Sequence, residues 1–380
     1  MAAILLPGRR RDLRERLSRL HWPLIIMLTI IAGAGVVTLY SVAEGSWRPW
    51  ALNHATRFGV SLVMMIVMGL IAIRFWMALA YPIYFVALVT LALVPVMGET
   101  VMGAQRWLQV GGMQFQPSSL MKIGLVLALA RYYHGLRAEQ VSHFLYLIPP
   151  LFLIGVPVGL IFIQPDLGTS LLVGGTGVAM VFLAGLSLRL AAIGAVGAVV
   201  AGYLAYRFDI LKQYQIERIL TFLDPYRDPL GKGYHLLQSK TGIGSGGLTG
   251  KGFMEGSQSQ LKFLPEMQTD FIFTVFGEEF GFVGAVSLLA LYLAVIYTGV
   301  RIALSARTHF ARLAALGVIV TFAFYVMINT GMVMGLAPVV GVPLPLLSYG
   351  GTMMLTIMAG FGIVMSAHGS RDSDGFGGRL

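Results

Sequence analysis

Apolar residues in this chain come in runs of about 20, the length that carries an α-helix across the hydrocarbon core of a bilayer. Ten such runs are read from the sequence, at 22–42, 54–73, 76–97, 117–133, 143–163, 167–186, 188–206, 271–300, 311–335 and 352–367. The pattern predicts an all-α, polytopic membrane protein with about ten transmembrane helices and a large extracytoplasmic loop before the eighth. Its expected parts are a basic cytoplasmic N-terminus (1–21), seven helices (22–206), the outer loop (207–270), three further helices (271–367) and a cytoplasmic tail (368–380).

The long polar stretch, 207–270, holds eight basic and seven acidic residues and nine glycines. Within it, residues 210–220 show apolar positions at helical spacing beside charges, which suits a helix lying in the membrane interface. Asp224-Pro225-Tyr226-Arg227-Asp228-Pro229 is expected to end that helix, because proline stops it and restricts the residue before it. The glycine-rich stretch 242–256 reads as a flexible loop. Gly242-Ile243-Gly244-Ser245-Gly246-Gly247 inside it fits a nucleotide-binding glycine pattern, but no strand-helix unit surrounds the match.

Composition agrees with the membrane reading. The 380 residues are 57% hydrophobic and 12% charged, against roughly 25% charged in soluble chains, and the mean hydropathy is +0.78. A formal charge of +10 raises nucleic acid as a partner, but the bilayer accounts for it better. Arg9, Arg10, Arg11, Arg14, Arg16 and Arg19 directly precede the first run, where cytoplasmic charge belongs. An inside N-terminus also places Arg74, Arg131, Arg137, Arg189, Arg301, Arg307, Arg312, Arg371 and Arg379 inside. There is no cysteine, so disulfides and thiolate chemistry drop out, and the seven histidines show no metal-ligand spacing.

Ionisable groups are expensive inside a bilayer, so those near the spans are candidates for chemistry. Asp270, at the junction of the outer loop and the eighth run, is placed at the membrane surface. A partly desolvated carboxylate there can act as a general base, while Thr269 and Asp270 can equally cap the helix. Both readings stand at this point. Glu278 and Glu279, deeper in the same run, are expected to pair with a buried base or face a polar cavity.

Arg106 and Lys122 are candidate diphosphate ligands, one a planar fork and the other a point charge; Lys122 can alternatively snorkel outward. Trp107 reads first as an interfacial belt residue, and Asp166 first as a turn and cap residue. Pro343-Leu344-Pro345-Leu346-Leu347-Ser348-Tyr349-Gly350-Gly351 implies broken helix lining a cavity.

These segments carry a resemblance. Gly103-Ala104-Gln105-Arg106-Trp107, Gln164-Pro165-Asp166-Leu167-Gly168-Thr169, Gln258-Ser259-Gln260-Leu261-Lys262-Phe263-Leu264-Pro265-Glu266, Thr269-Asp270-Phe271-Ile272-Phe273, Asn329-Thr330-Gly331-Met332 and Gly341 to Gly351 are similar to the SEDS family (shape, elongation, division and sporulation proteins), in its RodA-like branch rather than the FtsW one. The resemblance implies a bacterial inner-membrane glycosyltransferase that polymerises lipid II into peptidoglycan strands during elongation and maintenance of rod shape. It also implies a class B penicillin-binding protein and the elongation machinery as partners, besides membrane lipid. It puts the essential acid on Asp270 and substrate-binding positions on Arg106, Trp107, Lys122, Asp166, Glu266, Ser348 and Tyr349.

On that footing Asp270 takes the proton from the acceptor sugar's 4-hydroxyl as it displaces undecaprenyl diphosphate with inversion. Arg106 and Lys122 offset the charge on the leaving group. A divalent cation such as magnesium or manganese is left open as an aid to that departure, and no metal ligand is assigned. Ser119, Lys262 and Gln268 stand where the family commonly has Glu, Glu and His. A lipid II transporter and a non-catalytic scaffold that activates the cross-linking partner are the rival readings.

Overall fold

The computed structural model describes residues 17–370 apart from 19, 102, 103, 111, 112, 209–212, 229, 230 and 262. The arginine cluster before the first run, Gly103, residues 210–212 of the expected interfacial helix, Pro229, Lys262, Arg371 and Arg379 lie outside the described residues.

Every predicted run falls on a helix. These are α1 (Trp22–Val42), α2 (Ala51–Leu70), α3 (Ile73–Met97), α4 (Pro117–His134), α5 (Phe144–Ile163), α6 (Leu167–Leu183) and α7 (Leu188–Arg207) before the long loop. The loop itself carries α8 (Gln213–Leu223) and α9 (Lys232–Ser245), and α10 (Ile272–Leu304), α11 (His309–Val333) and α12 (Gly351–Gly369) follow it. Among the described residues, α1, α2, α3, α5, α10, α11 and α12 are long and apolar enough to cross a membrane, with α6 and α7 as shorter apolar helices. The second run ends earlier than expected, with the chain turning at Ile71 and Ala72 in extended geometry. Apolar residues continue through that turn, so hydropathy alone does not locate it.

Helix α4 is buried along most of its length and packs against α3, α11, α6 and α5. A β-carbon added at Gly124 would stand 3.1 Å from the Tyr84 Cα, the backbone approach that small residues allow between membrane helices. Helix α12 packs closely on α2, while α7 is exposed along nearly its whole length. Helix α5 contains Pro150 and Pro157, which cannot donate to the carbonyls four residues earlier. Tyr132 Oη donates to the Tyr146 carbonyl at 2.8 Å and Tyr84 Oη to that of Leu153 at 3.0 Å, so neighbouring helices satisfy both groups.

Three features depart from the sequence reading. Residues Glu99–Val101, Ala104–Val110 and Met113–Phe115 form a small antiparallel meander, β1-β2-β3, in a chain read as all-α. The glycine-rich stretch is not a loose loop: Gly242 to Ser245 close α9, and the following turn docks on α10. There α10 is broken at Gly281, whose φ of 68° only glycine adopts readily. Phe282 and Val283 N–H donate to the carbonyls of Gly247 and Leu248, while Lys251 and Gly252 N–H donate to those of Glu278 and Glu279. The groups freed by the break are exchanged with the docked turn, as a low-dielectric setting requires. Beyond α8, Asp224 accepts from Tyr226 N–H at 3.1 Å and opens a 3₁₀ turn at Pro225–Arg227, so the expected helix stop is present.

Candidate active site

At the end of the bundle that carries the meander, four chain segments meet: the turn at Gln164 to Asp166, residues Glu266 to Phe271, the end of α11, and the loop Val340 to Gly350. The last of these is not a helix: its one internal backbone bond among the described residues is a single turn in which Ser348 N–H donates to the Leu344 carbonyl at 3.0 Å, and Pro343 and Pro345 lack N–H groups. Its carbonyls are met by side chains from the surrounding helices. Asn329 Nδ2 donates to Val342 at 2.7 Å and Tyr292 Oη to Pro345 at 2.5 Å. His54 Nε2 bonds to the Leu346 carbonyl at 3.0 Å, which fixes the proton on that nitrogen because a carbonyl only accepts. Ser348 Oγ accepts from Leu344 N–H at 2.7 Å and donates to the Thr269 carbonyl at 2.6 Å. Tyr349 N–H donates to the Gln268 carbonyl at 2.8 Å, so the loop is sewn to the segment that carries Asp270.

Asp270 caps nothing. Helix α10 starts at Ile272 with Phe271 at its N-cap and no side-chain cap, which removes the capping reading. Thr269 Oγ1 is bonded instead to Glu266, at 3.0 Å to Oε2. The Asp270 main chain is held at both ends: its N–H donates to the Glu266 carbonyl at 3.1 Å and its carbonyl accepts from Asn329 Nδ2 at 2.9 Å. Among the described residues nothing donates a hydrogen bond to its half-buried carboxylate.

That carboxylate stands over bare backbone. A β-carbon at Gly341, where φ is +72°, would meet Asp270 Oδ2 at 3.2 Å. Burial pushes the Asp270 carboxyl up from its ordinary 3.8. The Glu266 charge adds to this, Arg218 draws it back, Asp166 raises it again, and the outcome is about 6.

Asp166 does two jobs. It accepts from Thr169 N–H at 3.2 Å, capping α6, and its Oδ2 lies 3.7 Å from Arg106 Nε. Arg106 Nη2 also donates to the Pro165 carbonyl at 2.6 Å, leaving the guanidinium partly exposed at the site's edge. Trp107 sits in β2, half-buried and in register with Glu99. Glu266, whose φ is 54°, is fixed by Thr269 and by Gln268 Nε2 at 3.3 Å.

Ser348 is 1% exposed and its hydroxyl is occupied by backbone, whereas the Tyr349 ring is half-buried beneath Arg57, whose Cζ is 4.8 Å from the ring centre. Lys122 is buried in the bundle, with Nζ donating to Tyr325 Oη at 2.5 Å beside Val126, Phe322 and Phe361. No contact joins it to Arg106 among the described residues.

The geometry thus gathers Asp270, Glu266, Asp166 and Arg106 and leaves Lys122 apart. Sequence reasoning quoted Asn329 and Gly341 only as part of the resemblance, with no role in the site, and gave Arg218 none. A polar Asn in an apolar run is the signal that could have singled out the first. Of the two acids in α10, Glu278 is fully buried and satisfied, taking Lys251 Nζ at 2.6 Å, Ser257 Oγ at 3.0 Å and Gln258 N–H, while Glu279 accepts from Ser41 at Oε1 and its Oε2 is buried with no partner among the described residues. Among the described residues no group of three or more His, Asp or Glu stands together that would hold a metal ion.

The family described as cell cycle protein, FtsW/RodA/SpoVE, matches residues 16–373. The chain is 46% identical over 355 residues to the peptidoglycan glycosyltransferase MrdB of Escherichia coli K12, covering 92% of this chain and 93% of that protein. The Thermus thermophilus rod shape determining protein RodA superposes with a TM-score of 0.70 at 30% identity, over 93% of this chain and 98% of that one. A chain from a peptidoglycan synthase complex that coordinates polymerization and crosslinking superposes with a TM-score of 0.82 at 34% identity, over 93% and 99%.

Proposed function

The chain belongs to the FtsW/RodA/SpoVE family and is a multi-pass membrane peptidoglycan glycosyltransferase, and we propose that Asp270 is the general base of its reaction. The observation that carries this is a half-buried carboxylate with no hydrogen-bond donor among the described residues, held by its main chain and raised to a pKa of about 6. Such a group is ionised at neutral pH yet basic enough to receive a proton in the transition state.

In the reaction Asp270 accepts the proton of the acceptor sugar's 4-hydroxyl while that oxygen forms a bond to the anomeric carbon of the donor. The bond from that carbon to diphosphate breaks, and undecaprenyl diphosphate leaves with the electron pair. Arg106, presented at the edge of the site by Pro165 and Asp166, offsets the charge that grows on the diphosphate. The substrate on this reading is lipid II.

The arginine-rich N-terminus lies in the cytoplasm, which puts Asp270 and the 207–270 loop on the outer face, where the lipid-linked sugar is exposed. Residues 207–270 then act as the unit that shapes the site, and the spans on either side anchor it. The likeness to a chain from a synthase complex supports a cross-linking partner, a class B penicillin-binding protein, acting beside this chain.

The test is polymerisation of purified lipid II by the chain with its partner, the partner's cross-linking serine inactivated, for wild type, Asp270→Asn and Asp270→Ala. Glycan strands from wild type and none from either folded variant are expected. Strands from both variants would remove Asp270 from the chemistry. An inert wild type would favour the transporter or scaffold reading.

A further inference from the structure

We infer that a groove on the lipid-facing side of α3, α4 and α5 is a binding site for one anionic phospholipid, its acyl chain in the groove and its phosphate on Arg131. The groove has a volume of about 400 Å³ and is lined by Tyr81, Tyr84, Leu88, Tyr132, Phe152 and Val156, among others. That volume falls within the ~300–1,000 Å³ of small-molecule sites. It opens sideways rather than into the bundle, since Phe152 is 67% and Tyr81 46% exposed. In a membrane-spanning chain that opening faces acyl chains.

Its walls offer little hydrogen bonding to a polar guest. The Tyr84 and Tyr132 hydroxyls, the obvious donors, are both spent on the α5 carbonyls that Pro157 and Pro150 leave free. What remains inside is an apolar trough.

One end of it is different. Tyr81 and Tyr132 stand there with Arg131, which lies within electrostatic reach of Tyr81 and of His134. Aromatic rings with a polar edge are what the headgroup level of a bilayer selects. Arg131 is half-buried, and among the described residues no carboxylate pairs with it. The chain around this end, 71–75 and 131–143, carries Arg74, Arg131 and Arg137 against a single acid, Glu139.

An apolar trough that ends at a partly desolvated guanidinium, in a locally positive setting, complements a lipid with a negatively charged phosphodiester headgroup. A zwitterionic lipid would fill the trough equally but bring its own cation to Arg131. The end in question lies opposite Asp270: α4 begins beside the meander that holds Arg106 and finishes at Arg131 and His134. The site is therefore separate from the catalytic one.

The experiment uses the full chain reconstituted in bilayers of equal parts phosphatidylglycerol and phosphatidylcholine, extracted gently and weighed intact by native mass spectrometry. Wild type is expected to retain one phosphatidylglycerol several-fold over phosphatidylcholine. Arg131→Lys should keep that preference, Arg131→Gln should lower it to parity, and Val156→Trp, which fills the trough, should lose both lipids. Should Arg131→Gln fail to fold, the Arg131→Lys and Val156→Trp pair still decides the matter.

A benzophenone amino acid at position 152 reports the occupant directly. An adduct with the mass of phosphatidylglycerol supports the proposal. Parity in wild type, an unchanged preference in Arg131→Gln, or an adduct to another protein or a second copy of this chain would each overturn it.

Discussion

Asp270 and Glu278 are two acids of one segment, eight positions apart, and their surroundings are opposite. Glu278 is fully buried and saturated: a lysine, a serine and a backbone N–H all bond to its carboxylate. Asp270 is less deeply covered, yet among the described residues its carboxylate receives no such donor, and only its main chain is tied down. A buried charge whose lone pairs are all engaged has become structure. One left unengaged costs the fold stability, and that cost is retained where the group has chemistry to do. The contrast makes Asp270 a group held for a substrate and Glu278 a fastener that binds the docked turn to the break in α10.

The largest effect that would break this contrast is on turnover. Asp270→Asn keeps the shape and removes the base, so kcat for strand synthesis should fall by ~10²–10⁴-fold while helicity and expression stay as in wild type. Lipid II polymerisation by the purified complex measures it. Glu278→Ala should do the reverse and act on the fold. Removing one member of a buried ion pair costs ~3–5 kcal/mol. Because the Lys251 side chain is 29% exposed, the lower end is expected, read as a lower Tm in detergent. A variant that melted normally but lost activity would turn Glu278 into a second catalytic group.

Much of this was legible in the letters, for a reason that is physical. Lipid offers no partner to backbone groups, so a span must be a long apolar helix, and each of the ten runs announced itself. Asp270 was legible because an acid beside a span demands an explanation. What could not be read was which acids are saturated. Lys251 and Glu278 lie 27 positions apart, and nothing in hydropathy joins them.

The break at Gly281 was hidden because glycine is ordinary in membrane helices, and its role shows only when the turn at Gly247 to Gly252 is seen to share hydrogen bonds with it. Lys122 was offered with Arg106 as a diphosphate ligand, and the structure sets the two apart. Closeness to the end of a helix does not say which face the side chain takes, and Lys122 donates to Tyr325.

pH sharpens the comparison at a smaller scale. A base must be ionised, so with the Asp270 carboxyl at about 6 the rate should be flat above pH 7 and fall about tenfold per unit below pH 6. The same raised value has a consequence for stability. The folded state holds this proton more tightly than the unfolded chain, so the contribution of Asp270 is present below the unfolded value near 4 and is lost as pH rises through about 6. Asp270→Asn should therefore stabilise the protein at pH 8, by on the order of 1–3 kcal/mol, and not at pH 4. Thermal melts at the two values test the sign.

The smallest predicted effect isolates access from charge. Gly341→Ala adds one methyl group, 3.2 Å from Asp270 Oδ2, at a residue whose φ is +72°. The backbone strain alone costs about 1 kcal/mol, a Tm change of a few degrees at most. The methyl also narrows the space above the carboxylate where an acceptor hydroxyl has to sit, and a reacting atom misplaced by ~1 Å can cost ~10²-fold. Turnover should thus fall several-fold or more while stability moves little. The Asp270 midpoint in the pH profile should rise, because the methyl excludes water from the carboxylate. If rate and Tm fall together and the midpoint stays near 6, Gly341 serves only the turn, and the open space over Asp270 is not what admits the acceptor.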